Sequence, residues 1–417
     1  MEGVLKRILR PLLLALAMVI PVGCATELIG DPSDLEVVAY PTGIAVHPGG
    51  RYAYVVGSNF DLDYRANDGG AIYVVDLETK KVLPGSKRMG SFGTNIVLSH
   101  DARRGYTVTR GDDALVWFEI SPDGSSISCP LAKKNSDSLL KCRQILDDNP
   151  THVSITRSYR EYDETNADGT TQKKRVDFDL LAVAQLRNAR TTMLTVHEDE
   201  KGAVSFSRES AALLYSGTVS TLYEGEQFIF AGRAASNLVV VSPALNERGR
   251  VLGLYASQAI SVPSWYGVYQ GRDLLVDPSK QNLYMLNQYP KSLMKFDVTG
   301  LSYTSATSDR AALTDILMLP SDFIRMVWVG DGATGMIYAT SATDSSMYVI
   351  DPRAMEIVHV AETGASPYDM ALSGDKLYVV MFRDDNIWTY DVSDPSAPVL
   401  KEKFFEAKTA TDSAEEK

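Results

Sequence analysis

The chain repeats one pattern seven times: a turn, a short apolar strand, a second strand rich in tyrosine, and a third strand that usually ends in Asp. The third strands show it best, as in Ala71–Asp76, Ser346–Asp351 and Asn386–Asp391. Alternation of apolar and small residues is typical of strands packed between neighbours. The turns before the first strands are spaced 47 to 67 residues apart, at Pro41, Gly93, Pro150, Gly217, Gly271, Pro320 and Pro367.

Small sheets repeated at this spacing can bury both faces only when they stack around a common axis. The sequence therefore predicts an all-β protein, a seven-bladed β-propeller of mostly four-stranded antiparallel blades over residues 36–405. Two short segments, Leu35–Val38 and Val399–Phe404, could supply outer strands. We expect at least one of them to seal blade seven, with the N-terminal segment favoured.

Two polar stretches break the pattern. An insertion in blade three, residues 159–175, has no apolar periodicity, and we expect a solvated hairpin tip or a mobile loop there. The polar and acidic residues 406–417 are expected to form a disordered tail.

Residues 1–23 have the organisation of an export signal. A basic start, with Lys6, Arg7 and Arg10, precedes an apolar run over 12–20 that is too short for a spanning helix of about 20 residues. The end of this segment, Pro21-Val22-Gly23-Cys24, resembles the lipobox of bacterial lipoproteins. The resemblance implies an acylated Cys24, a tether over residues 24–35 and membrane attachment through lipid alone. The alternative is an ordinary secretory signal with an incidental cysteine.

The residue after Cys24 is Ala25. In diderm lipoproteins, Asp at that place favours retention in the inner membrane. By this resemblance we expect a lipid-anchored protein of the bacterial cell envelope, with the outer membrane as the favoured location.

The formal net charge of the whole chain is -12 at pH 7. Loss of residues 1–23 removes three basic residues and one acidic residue, which makes the mature chain about two charges more negative. Because nucleic-acid binders need clustered Lys and Arg, we expect no nucleic-acid partner. The acidity favours solubility, and the alternative is recognition of cations or of a basic partner.

Cys129 and Cys142 are the only cysteines besides Cys24, and they lie in a segment, 128–143, that has the character of a loop between blades. In an oxidising envelope they are predicted to form a disulfide, worth about 3 kcal/mol for a loop of this size. A redox-active pair is the alternative, but the spacing is not Cys-x-x-Cys.

Blade one, Pro41 to Val56 followed by Ile72–Asp76, is similar to the YVTN family of WD40-like β-propeller repeats. The last blade, with Ser366–Leu372 and Leu377–Val380, is similar too. The resemblance covers most of residues 36–405 and implies the propeller fold. It leaves the activity open, because relatives include cell-surface proteins, lactonase-like proteins and the heavy chains of amine dehydrogenases.

Alignment of the seven leading turns brings five polar residues to similar places: Asn95, His152, Asp273, Asp322 and Asp369. First strands converge on the propeller axis, so we predict that these side chains ring one mouth of the channel and form the ligand site. Oxygen ligands suit calcium, which makes Asp273, Asp322 and Asp369 candidate metal ligands and Asn95 and His152 candidate ligand contacts. The alternative is that these residues cap their own turns.

No catalytic residue and no other cofactor is predicted, since the chain lacks a Gly-x-Ser-x-Gly elbow, a phosphate-binding loop and a zinc-binding His-Glu-x-x-His helix. We predict a non-catalytic binding or scaffold module that engages a protein, a glycan or a small envelope ligand. The alternative is a lactonase-like or dehydrogenase-like enzyme that uses the axial pocket. A converging acid–base pair or a metal at that mouth would favour the enzyme.

Overall fold

A computed structural model describes residues 35, 38–58, 69–133, 135–147, 149–187, 190–212, 217–232, 237–261, 269–299, 301, 312–332 and 334–405. The predicted signal peptide over 1–23, the tether over 24–35 apart from Leu35, and the tail over 406–417 lie outside these residues, and so does Cys24. Within the described ranges, no helix is long and apolar enough to cross a membrane.

Seven antiparallel sheets follow one another along the chain, which confirms the predicted seven-bladed propeller. Blade one contains β1 Pro41–Val46, β2 Tyr52–Gly57, β3 Ala71–Asp76, β4 Lys81–Val82 and β5 Lys87–Arg88. Blade two contains β6 Gly93–Leu98, β7 Arg104–Thr109, β8 Ala114–Ile120, β9 Ile127–Ser128 and β10 Arg143–Ile145. Blade three contains β11 Pro150–Thr165, β12 Thr171–Gln185, β13 Arg190–Glu198 and β14 Val204–Ala212.

The remaining blades have four strands each. Blade four contains β15 Gly217–Glu224, β16 Gln227–Gly232, β17 Asn237–Leu245 and β18 Val251–Ser261. Blade five contains β19 Tyr269–Val276, β20 Asn282–Tyr289, β21 Ser292–Asp297 and β22 Ala312–Met318. Blade six contains β23 Phe323–Val329, β24 Met336–Ser341, β25 Ser346–Asp351 and β26 Glu356–Glu362, and blade seven contains β27 Pro367–Ser373, β28 Lys376–Met381, β29 Asn386–Asp391 and β30 Val399–Phe404.

Blade seven is sealed by its own C-terminal strand, β30, which pairs with β29. The outer place in this sheet, for which we favoured the N-terminal segment, is thus taken by the C-terminal one. β30 reaches β29 through a short connection, which costs little loop-closure entropy. Leu35 and Val38 are instead buried in an apolar cluster that joins blade one to blade seven and includes Tyr378 and Phe404.

Buried tyrosines tie neighbouring blades together. The hydroxyl of Tyr54 in β2 donates a hydrogen bond to the carbonyl of Gly124 in blade two, at 2.9 Å. Tyr338 in β24 donates in the same way to the carbonyl of Pro395 in blade seven, at 2.9 Å. Each ring fills the interface between two sheets while its polar end is satisfied, as buried tyrosine requires.

Cys129 and Cys142 form the predicted disulfide. Both are buried in the apolar cluster of blades one to three, together with Trp117 and Leu139. The bond therefore secures the long connection between β9 and β10 against the hydrophobic core.

The insertion in blade three is a regular hairpin that extends β11 and β12. Pairing continues from Tyr159 opposite Asp177 to Thr165 opposite Thr171. Of the two expectations for this stretch, the hairpin is confirmed.

Candidate functional site

Every first strand carries an irregularity near its start, where its register with the second strand shifts. In six blades the equivalent residue is the one at which regular pairing resumes, two positions after the first paired residue. In blade two the shift is one residue longer, and the equivalent residue lies just before pairing resumes at Ile96. We call these seven positions the axial ring: Gly43, Asn95, His152, Val219, Asp273, Arg325 and Asp369. Such bulges redirect a side chain out of the regular pleat.

The structure places Asn95, His152, Asp273 and Asp369 in the axial ring, but it does not place Asp322 there. The pattern Pro320-Ser321-Asp322 imitates Pro367-Tyr368-Asp369 in the sequence. The first paired residue of blade six is Phe323, which opposes Ser341 as Pro367 opposes Met381 in blade seven. The ring residue of blade six is therefore Arg325.

Asp322 lies just before β23 and pairs with the guanidinium of Arg272, with 2.6 Å between Oδ2 and Nη2. Both side chains are about one quarter exposed, at 22% and 28%. The pair links blade five to blade six at one mouth of the channel. A metal-binding role for Asp322 stays a prediction.

Asn95 and His152 bridge to the next blade. Asn95 accepts a hydrogen bond from the backbone N–H of Val153 at 3.1 Å and donates one to its carbonyl at 2.8 Å. The Nδ1 atom of His152 lies 3.5 Å from both the hydroxyl and the backbone nitrogen of Ser220. Burial lowers the pKa of His152 well below its usual value, and the charge of Arg325 lowers it further, so the imidazole is neutral at pH 7.

The two ring carboxylates, Asp273 and Asp369, also form hydrogen bonds to the next blade. Asp273 accepts a hydrogen bond from the backbone N–H of Met326 in blade six at 2.7 Å, and one from its neighbour Leu274 at 3.0 Å. Asp369 accepts one from the backbone N–H of Ile44 in blade one at 3.1 Å. Each carboxylate also has a local backbone bond, from Leu274 to Asp273 and from Met370 to Asp369, so capping of the residue's own turn, the alternative from sequence, occurs together with bonds that join blades.

Arg325 provides positive charge for both carboxylates. Its Nε lies 3.9 Å from Oδ1 of Asp369, and each of these two side chains is only 13% exposed. Burial raises the pKa of Asp273 to about 6, although Arg325 opposes this shift, and burial also raises the pKa of Asp369. Burial lowers the pKa of Arg325, but the charges of Asp273 and Asp369 outweigh it, and the net shift is upward.

The guanidinium of Arg325 thus stands where the sequence suggested a cation. Among the described residues, no group of three or more His, Cys, Asp or Glu side chains lies close enough to hold a metal ion. Calcium on the propeller axis stays a prediction from the sequence.

A cavity of about 390 Å³ opens at the mouth where the first strands begin. Three of its lining residues, Arg272, Ile324 and Tyr368, directly precede the ring residues Asp273, Arg325 and Asp369, which locates the cavity beside the ring. The full lining comprises Thr42, Ser58, Phe92, Arg110, Arg272, Asp322, Ile324, Ala342, Thr343, Ser366, Tyr368, Phe382 and Arg383.

Sequence reasoning missed the three arginines of this cavity, Arg110, Arg272 and Arg383. Arg110 and Arg383 share a local pattern. Each lies in the turn between the second and third strands of its blade, and each turn continues into a pair of aspartates, Asp112-Asp113 and Asp384-Asp385. This shared Arg and Asp-Asp pattern in blades two and seven is the signal that could have identified them.

No known protein family and no curated protein matches the chain. Among solved structures, a Bacteroides fragilis protein assigned provisionally as a 6-phosphogluconolactonase has a TM-score of 0.54 at 13% identity, over 90% of this chain and 96% of that one. The β-propeller domain of Cps50 (Swd1) from Myceliophteria thermophila has a TM-score of 0.55 at 11% identity, over 85% and 98%. Hydrazine synthase from Kuenenia stuttgartiensis has a TM-score of 0.52 at 13% identity, over 85% and 96%. At such identities the likeness shows the fold alone.

Proposed function

We propose that this chain is a lipid-anchored propeller of the bacterial cell envelope that acts as a non-catalytic binding module, with its ligand in the axial cavity. The lipobox-like segment ending at Cys24 and the YVTN-like repeats support the envelope location. One observation carries the binding function: the polar side chains of the axial ring are engaged between blades, while an open cavity lies beside them.

An enzyme would need a free acid or base within hydrogen-bonding reach of its substrate. Asp273 and Asp369 already accept backbone N–H groups and share the charge of Arg325. His152 is neutral and lies against Ser220. These groups are therefore parts of the scaffold, and the cavity beside them is suited to holding a ligand rather than transforming it.

Filling the cavity tests the proposal. Ala342 lines the cavity in blade six, whereas Ala354 is exposed in the turn before β26 of the same blade. After incubation with a low-molecular-weight envelope extract, native mass spectrometry of wild type and A354W should show the same retained mass, and A342W should have lost it. Equal retention by A342W would place the ligand elsewhere.

A lactone-hydrolysis assay tests the enzymatic alternative directly. We expect no turnover above the buffer rate with a panel of sugar lactones. Turnover by wild type and A354W that A342W has lost would contradict the non-catalytic function and favour a lactonase.

A further inference from the structure

We infer that the axial cavity binds a small organic anion, a carboxylate on a planar apolar body, and that Arg110 and Arg383 recognise its charge. This inference rests on the proposed binding function and specifies its ligand class. It is carried by the charges, the free donors and the rings of the cavity wall.

The cavity is positive although the protein is acidic. Its lining holds three arginines and one aspartate, a surplus of two positive charges on a chain whose formal net charge is -12. Arg272 is paired with Asp322. In the part of the chain that the structure describes, neither Arg110 nor Arg383 has a carboxylate partner.

Arg110 is held with one end of its guanidinium free. Its Nε donates a hydrogen bond to Oδ1 of Asn149 at 3.1 Å, and the guanidinium lies 4.7 Å from the ring centre of Phe92. No hydrogen bond from either Nη atom is found within the described ranges. Burial lowers the pKa of Arg110, and the nearby positive charge of Arg187 lowers it further. An anion would relieve this repulsion, and the planar fork of Arg suits a carboxylate.

The two aspartates that follow Arg383 accept hydrogen bonds from backbone N–H groups. Asp384 accepts the N–H of Ala365 at 2.5 Å, and Asp385 accepts the N–H of Tyr40 at 2.6 Å. These bonds close the loops around the mouth. The guanidinium of Arg383 is left exposed on the cavity wall.

Aromatic and apolar side chains form part of the remaining wall, which also includes the hydroxyl residues Thr42, Ser58, Thr343 and Ser366. The rings of Tyr368 and Phe382 lie 5.8 Å apart at 36°, and Ile324 and Ala342 add apolar surface beside them. A volume of about 390 Å³ is within the range of small-molecule sites. The planar apolar part of an organic carboxylate would cover these rings while its carboxylate binds the arginines. A free inorganic anion has no apolar part, so it would leave the rings uncovered.

Isothermal titration calorimetry with benzoate and its uncharged analogue benzamide tests the inference. We expect saturable binding of benzoate at low salt, about 10-fold or more weaker binding of benzamide, and weaker binding of inorganic phosphate. Both R383Q and R110Q should weaken benzoate binding about 10-fold or more, and R383K should retain part of it. The control R143Q removes the same charge from exposed β10 and should bind as wild type.

The outcomes separate this inference from the proposed function. If benzamide binds as tightly as benzoate, and R110Q and R383Q bind as wild type, the anion inference fails while the cavity stands as a ligand site. If neither compound binds, the inference fails, and the extract experiment with A342W then decides whether the cavity is a ligand site. Arg383 is exposed, so R383Q should fold; a melting curve by circular dichroism checks this for each variant.

Discussion

The Oδ2 atom of Asp369 accepts a hydrogen bond from the backbone N–H of Ile44 at 3.1 Å, across 325 positions of the chain. The bond joins the first strand of blade seven to the first strand of blade one. With the bond from the Tyr40 N–H to Asp385, it joins blade seven to blade one through side chains, and the four strands described in blade seven, β27 to β30, all come from the C-terminal end of the chain.

The substitution D369A should destabilise the closed ring. It removes the acceptor for Ile44 and one of the two carboxylates near Arg325, so we expect a loss of about 2 to 3 kcal/mol in the free energy of unfolding. D369N keeps an acceptor oxygen and should lose less. Denaturant unfolding at pH 7 measures both, with D375A in an exposed turn of the same blade as control. Equal stability of D369A and D375A would show that this bond does not secure the ring.

Loss of the disulfide should lower the free energy of unfolding by an amount set by the length of the loop that the bond closes. Cys129 and Cys142 are 13 positions apart, a separation for which cross-linking stabilises by about 3 kcal/mol. The double variant C129S/C142S should melt at a lower temperature than wild type. In strong reductant, the melting temperature of wild type should fall towards that of the variant. A wild-type melting temperature that does not change with reductant would contradict the expectation.

Membrane attachment should depend on Cys24. In a host that processes lipoproteins, C24A should move from the detergent-extracted fraction to the soluble envelope fraction, because acyl chains are the only anchor that we propose. A25D should shift the protein towards the inner membrane if sorting follows the diderm pattern. Unchanged fractionation of C24A would favour an ordinary secretory signal.

The repeat made the blades predictable, because each third strand and each leading turn is marked by local residues. Asp273 and Asp369 were found in this way, since blades five and seven keep the spacing from turn to carboxylate. Arg325 was missed because Pro320-Ser321-Asp322 has the same local form as Pro367-Tyr368-Asp369. Only the pairing of Phe323 with Ser341 distinguishes the two, and strand pairing is a long-range property.

The cavity could not be predicted for a related reason. Arg110 and Arg383 lie in turns between second and third strands, and local sequence does not say which of these turns meet at the mouth. Their positions depend on contacts with other blades, such as the bond between Arg110 and Asn149. Residues from different blades that meet because the ring curves are not marked by any repeating pattern in a single sequence.

The raised pKa of Asp273 predicts a pH-dependent contribution to stability. Burial raises it from an ordinary value of 3.8 to about 6 in the folded protein. Between these two values the folded state binds a proton that the unfolded state has released. The contribution of Asp273 is therefore fully present below pH 3.8 and is lost as the pH rises through 6.

The variant D273N removes this titration and keeps one acceptor oxygen for Met326. Relative to wild type, D273N should gain about 2 kcal/mol in the free energy of unfolding as the pH rises from about 4.5 to about 8. Denaturant unfolding at the two pH values measures the change. T42S, which alters a buried residue that does not titrate, should differ from wild type by a constant amount. If the difference for D273N is equally constant, Asp273 is ionised in the folded protein throughout this range, and Arg325 and the backbone N–H groups fully offset its burial.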